Sequence, residues 1–157
     1  MSLGRRESTA DWLMVFAGVA LLASLFMPWS HQLPLAFFAR YAGTGALAGV
    51  PPNPDAWQVF SAVDVLLALL AAGLLAAALR GGRPARAILL GALGVALAFT
   101  VHALAVPPTN GVLVYDPTRS PPGYTPVAAG AGTGETVALL ALVLGIAGAL
   151  LSFTSDR

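Results

Sequence analysis

The chain has 157 residues, of which 57% are hydrophobic and only 10% charged, and its mean hydropathy is +0.80. A soluble domain needs more polar cover than that, so the composition points to a membrane protein. The 17 Gly and 12 Pro do not make it a collagen-like or disordered polymer, because the apolar residues lie in long blocks. Eight basic residues, all Arg, against seven acids leave a net charge of +1, too little for a nucleic-acid footprint; the absence of Cys removes disulfides, iron–sulfur clusters, thiolate zinc sites and Cys nucleophiles.

Four apolar stretches approach the ~20 residues needed to cross a ~30 Å hydrocarbon core as helix. They run over about 12–29, 56–79, 87–106 and 136–153. Backbone at that depth must satisfy its own hydrogen bonds, and the stretches are rich in Ala and Leu with Pro confined to their ends. The expected fold is therefore all-α: one integral membrane domain over 1–157, an up-down bundle of four transmembrane helices.

The helix ends carry their own signals. Ser8 precedes Asp11, and Asp55 precedes Gln58, at capping-box spacing, while Thr133 and Glu135 suit the first turn of the last helix. Trp12, Trp29 and Trp57 fall at predicted ends, where an amphipathic ring favours the headgroup level, and are expected to be interface anchors. Four crossings place Arg5, Arg6, Arg80, Arg83, Arg86 and Arg157 on one side and Arg40 and Arg119 on the other, so both termini are expected to be cytoplasmic. The first stretch ends in Phe26-Met27-Pro28-Trp29 with no small-x-small cleavage site and is expected to be retained.

The Gly-Gly-Arg-Pro turn near residue 82 makes the second and third helices antiparallel neighbours, whereas segments 30–55 and 107–134 form two long outer loops. The first loop contains an apolar-aromatic piece over 33–41 that suits the membrane interface, then Gly43, Gly45 and Gly49, which read as a flexible connector. The second contains Asn110-Gly111, the strand-like run Val112–Tyr115 and Pro121-Pro122-Gly123, a pattern for a small β-hairpin.

Helices in lipid associate through close backbone approach, so small residues four apart mark candidate packing seams. These are Ala68, Ala72 and Ala76; Gly91, Gly94 and Ala98; Ala141, Gly145 and Ala149; and, more weakly, Ala20 and Ser24. Extending the second and third helices along these rows reaches Asp64 and His102, the only acid and the only imidazole inside the stretches, both toward the outer leaflet. Glu135 at the outer start of the fourth helix, with Ser61 and Thr100 as hydrogen-bond donors, completes a candidate polar or ion site. A buried Asp64–His102 pair would equally fix helix register with no further role, and the stretches hold no second acid and no Lys or Arg to carry a proton onward. His31 and His102 are too few and too sparse for a metal or haem set, so no metal and no cofactor is expected, and no hydrolase, metalloprotease or nucleotide-binding motif is present.

The segment Trp57-Gln58-Val59-Phe60-Ser61-Ala62-Val63-Asp64-Val65-Leu66-Leu67 resembles small four-helix membrane proteins of unknown function from high-GC actinobacteria, in which Trp-x-x-Phe-x-x-x-Asp opens the second helix after a long outer loop. The resemblance implies a bacterial plasma membrane and no particular activity. The layout is also similar to that of claudin-type bundles, but the claudin loop cysteines are missing. Two functions are expected to compete. The first is a non-enzymatic accessory, assembly or interaction subunit whose partners are the lipid bilayer and another membrane protein or a second copy. The second is a channel, carrier or ligand-binding protein using Asp64, His102 and Glu135. A membrane enzyme ranks last.

Overall fold

The computed structural model describes residues 3–31, 51, 53–80, 82–108, 113–116, 123–126 and 129–155. The chain is mostly helical. The elements in order are α1 (Leu3–Ser24), β1 (Ser30–His31), α2 (Ala56–Val59), α3 (Val63–Arg80), α4 (Arg83–Ala105), β2 (Leu113–Asp116), β3 (Gly123–Pro126), β4 (Gly130–Ala131) and α5 (Thr133–Ser155). Three of them are long and apolar enough to cross a membrane among the described residues: Val63–Arg80, Arg83–Ala105 and Thr133–Thr154.

The first stretch differs from the expected 12–29. Its helix starts earlier and stops at Ser24, leaving an apolar part of Thr9–Ser24 that is shorter than the other three. The stop has a local cause. The amides of Leu25, Phe26 and Met27 bond back to the carbonyls three residues earlier, at 3.3, 3.1 and 3.1 Å, tightening the last turn before Pro28, which has no N–H to continue the ladder.

The second stretch, expected over 56–79, is two helices. Asp55 caps α2 through a full capping box with Gln58, but Phe60 turns extended (φ −103°, ψ 152°) and ends it after one turn. Two ring contacts hold Phe60 there: it meets Trp29 edge-on at 5.3 Å and Phe99 at 5.4 Å. The third helix begins at Arg83 rather than about 87, with Gly82 at its N-cap and Pro84 in its first turn. The hairpin pairs β2 with β3 antiparallel, Leu113 opposite Pro126 and Asp116 opposite Gly123. The expected piece over 33–41, Gly43, Gly45, Gly49 and the Asn110-Gly111 turn lie outside the described residues.

Packing places α1 between α3 and α5, with α4 against the other side of α5; α3 and α4 touch only sparingly. The core is a layer of Met14, Leu21, Leu74, Leu93 and Leu142, all fully buried. Glycines on α1 and α5 let neighbouring helices come close. A Cβ on Gly148 would lie 3.0 Å from the Ala10 carbonyl oxygen and 3.0 Å from Met14 Cγ, and one on Gly18 would lie 2.9 Å from the Ala71 carbonyl oxygen.

The expected seams are therefore only partly where the helices meet. Ala141, Gly145 and Ala149 on α5 are buried. On α3 the buried row is Asp64, Leu67, Ala71, Leu74 and Ala77, while Ala72 and Ala76 are exposed and Ala68 is half-buried. On α4 the buried row is Leu89, Leu93, Ala96, Thr100 and Ala103, and Gly91, Gly94 and Ala98 face outward. Small residues repeat on more than one face of these helices, and in the core it is Leu next to Ala that fills the space. On α1, Ser24 is buried and Ala20 half-buried.

Substitution at the two kinds of glycine should separate. Gly148→Leu forces a side chain into α1 and should cost about 1–3 kcal/mol, read as a lower thermal midpoint of helical circular dichroism in detergent. Gly91→Leu, with nothing within 4 Å of its Cβ position, should leave that midpoint unchanged or raise it, since Leu is the better helix former.

Candidate functional site

At one end of the helices the chain between α1 and β1 is gripped from both sides. Trp29 N–H donates to the Pro54 carbonyl at 2.9 Å and Ala56 N–H to the Leu25 carbonyl at 3.2 Å, while Pro28 and Asp55 form an antiparallel bridge. On the other side Gly134 N–H donates to the Pro28 carbonyl at 2.7 Å and Gly132 N–H to the Trp29 carbonyl at 3.2 Å, and β1 pairs with β4 through Ser30 and Ala131. Gly132 and Gly134 are required, because a Cβ on Gly132 would come 2.6 Å from the Trp29 carbonyl carbon and one on Gly134 2.7 Å from the Trp29 ring. This clasp joins the end of α1, the approach to α2 and the start of α5.

Trp29 fills the centre of the clasp. It is fully buried, and its Nε1–H donates to the Ser24 carbonyl at 2.8 Å. Trp29, expected as an interface anchor, is in this structure a packing element of the clasp, its ring turned inward. Trp12 and Trp57 are exposed, at 59% and 39%, with Trp12 beside Phe16 and Trp57 beside Phe26.

The five expected site residues are spread out. Asp64 is buried in the first turn of α3, where its Oδ1 accepts from Val65 N–H at 2.8 Å and its charge is favoured by the positive end of the dipole. Thr100 is fully buried and its hydroxyl donates to the Ala96 carbonyl of its own helix at 2.9 Å. His102 is exposed in the last turn of α4, and Ser61 is exposed at the bend before α3. Among the described residues no hydrogen bond or ion pair joins Asp64 to His102.

Glu135 belongs to the clasp. It is fully buried in the first turn of α5; its Oε2 accepts from Gly132 N–H at 3.3 Å, and its Oε1 has no partner among the described residues. Ser30 Oγ, on the adjoining β1, is buried and equally unpartnered among them. His31, the next residue along β1, lies close enough to act on the Glu135 charge, and its Nδ1 is 2.6 Å from Asn53 Oδ1. Glu135 was legible in the sequence but Ser30 and Asn53 were not, because Ser30 comes beside the start of α5 only through a strand pairing between segments one hundred residues apart and Asn53 matters only through its contact with His31.

Two features occur away from these residues. At the opposite end of the helices Arg86 reaches across to Asp11 on α1, 3.1 Å apart. Between α3 and α4, where contact is sparse, an apolar groove of about 950 Å³ runs from Arg80 and Ala85 to Val63 and Phe99. No protein-family model, no curated protein and no solved structure matches this chain.

A double-mutant cycle tests whether Asp64 and His102 act as a pair. Asp64→Ala should cost about 0.3–2 kcal/mol as a lost first-turn acid, and His102→Ala less than about 0.5 kcal/mol as a surface change. The two should add to within about 0.5 kcal/mol in detergent unfolding; a larger coupling would mean that they touch.

Proposed function

We propose that the protein is a non-enzymatic integral membrane protein that acts as an accessory, assembly or interaction subunit. In this reading four helices cross a bacterial plasma membrane, α1 completing its passage through Leu25–Met27, and both termini lie on the cytoplasmic, arginine-rich side. The clasp at one end of the helices and the Arg86–Asp11 pair at the other support an α1 that runs the full height of its neighbours.

The observation that carries the reading is a contrast among glycines. Gly18, Gly145 and Gly148 are filled by neighbouring helices, whereas Gly91 and Gly94 have nothing within 4 Å of their Cβ positions and, with Ala98, form an outward row on α4. Glycine pairs in a lipid-facing helix bring no benefit to lipid packing, but they let another helix come close. The chemistry-bearing residues support the same reading: Asp64 and Thr100 are engaged by their own helices.

Purification from native membranes under mild detergent tests this. Wild type should carry a membrane partner or a second copy, and Gly91→Leu combined with Gly94→Leu should lose it while keeping the wild-type helical spectrum. A protein that is solitary in native membranes, or whose partner survives the double substitution, would contradict the reading.

A second reading, a ligand-binding protein at the outer face, draws on the unpartnered oxygens of Glu135 and Ser30. Glu135→Gln keeps an acceptor for Gly132 N–H and should leave the fold intact. Under the accessory reading partner capture survives this change; under the ligand reading activity is lost with the fold retained.

A further inference from the structure

We infer that the groove between α3 and α4 holds an anionic glycerophospholipid, its phosphate at Arg80 and an acyl chain in the half of the groove next to it. The groove is about 950 Å³ and almost wholly apolar, within the range of sites that bury a ligand of several hundred daltons. It runs along α3 from Arg80 to Val63, roughly 25 Å at ~1.5 Å per residue. One leaflet accounts for about 15 Å of a ~30 Å hydrocarbon core, so a lipid entering at the Arg80 end reaches about half of this length.

The lining changes along the way. Near Arg80 the walls carry Gly73, Ala76, Ala77, Ala85 and Ala92, with Ile88 and Leu89 between them. Beyond them Val63, Leu66, Leu70, Val95 and Phe99 dominate. The small-walled half therefore ends about one leaflet from Arg80, which suits an acyl chain anchored there; a partner helix would use the whole length.

Charge selects the headgroup. Arg80 lines the mouth and is exposed, with no hydrogen bond or ion pair to a described residue. Arg86, one turn further along α4, is already engaged with Asp11. A guanidinium at an apolar mouth recognises phosphate in fork geometry, and basic pockets between membrane helices on the cytoplasmic side favour anionic headgroups.

The test uses the full chain purified in detergent and supplied with phosphatidylglycerol or phosphatidylcholine, with retained lipid read by native mass spectrometry. Phosphatidylglycerol should be retained over phosphatidylcholine, and Arg80→Gln should reduce that preference about fivefold, as expected for one Arg at an anionic surface. Ala92→Phe, which fills the small-walled half from an exposed position, should expel both lipids; circular dichroism checks that each variant is folded. Equal retention of the two lipids, or a preference untouched by Arg80→Gln, would overturn the inference. So would a photocrosslinker at position 92 that, in native membranes, labels a protein and not lipid.

Discussion

Backbone polar groups that leave a helix and stay buried must find partners within the protein, and the clasp is where this chain meets that demand. Three segments lose helical pairing at the same end: the turn after Ser24, the approach to Ala56 and the turn before Thr133. Each supplies what the others lack. The amides of Trp29 and Ala56 are satisfied across one edge and those of Gly132 and Gly134 across the other, with the Trp29 ring sealed between. Because the clasp fixes where α1 ends and α5 begins, it also fixes the height at which Gly148 meets Ala10 and Gly18 meets Ala71.

The tight α1–α5 contact rests on close packing at Gly148, where a Cβ would lie 3.0 Å from the Ala10 carbonyl oxygen. The helix contacts are uneven. Helix α4 is held mainly by α5 and meets α3 sparingly, and its covalent tie to α3 through the turn at Gly82 keeps the two together at one end. The result is a firm set of three helices, α3, α1 and α5, beside a fourth that presents both a groove and an outward small-residue row.

How much of this was legible in the sequence follows from what each signal measures. Apolar length located α4 and α5 to within a few residues and the end of α3 to within one, but it placed the start of α3 seven residues too early, while Asp55 with Gln58 marked a real capping box. The break at Phe60 was not legible, since it depends on Trp29 and Phe60 meeting across segments far apart in sequence; the ending of α1 at Ser24 is local, a tightened turn before Pro28 that apolar length alone does not mark. The small-residue rows were visible, but spacing alone does not say which face another helix occupies: Gly145 is inside and Gly91 outside with the same local pattern. The acid and imidazole suggested a pair because both project from helices near one end, yet Asp64 is taken up by its own helix amide and His102 is exposed.

The chain has no cysteine, so single cysteines test the membrane arrangement directly. Asn53→Cys lies beside the clasp and Gly82→Cys lies at the turn between α3 and α4. In intact cells a membrane-impermeant maleimide should label position 53 and leave position 82 unlabelled until the membrane is opened. Labelling of both positions in intact cells, the reverse pattern, or a chain that stays in solution without detergent would contradict the account.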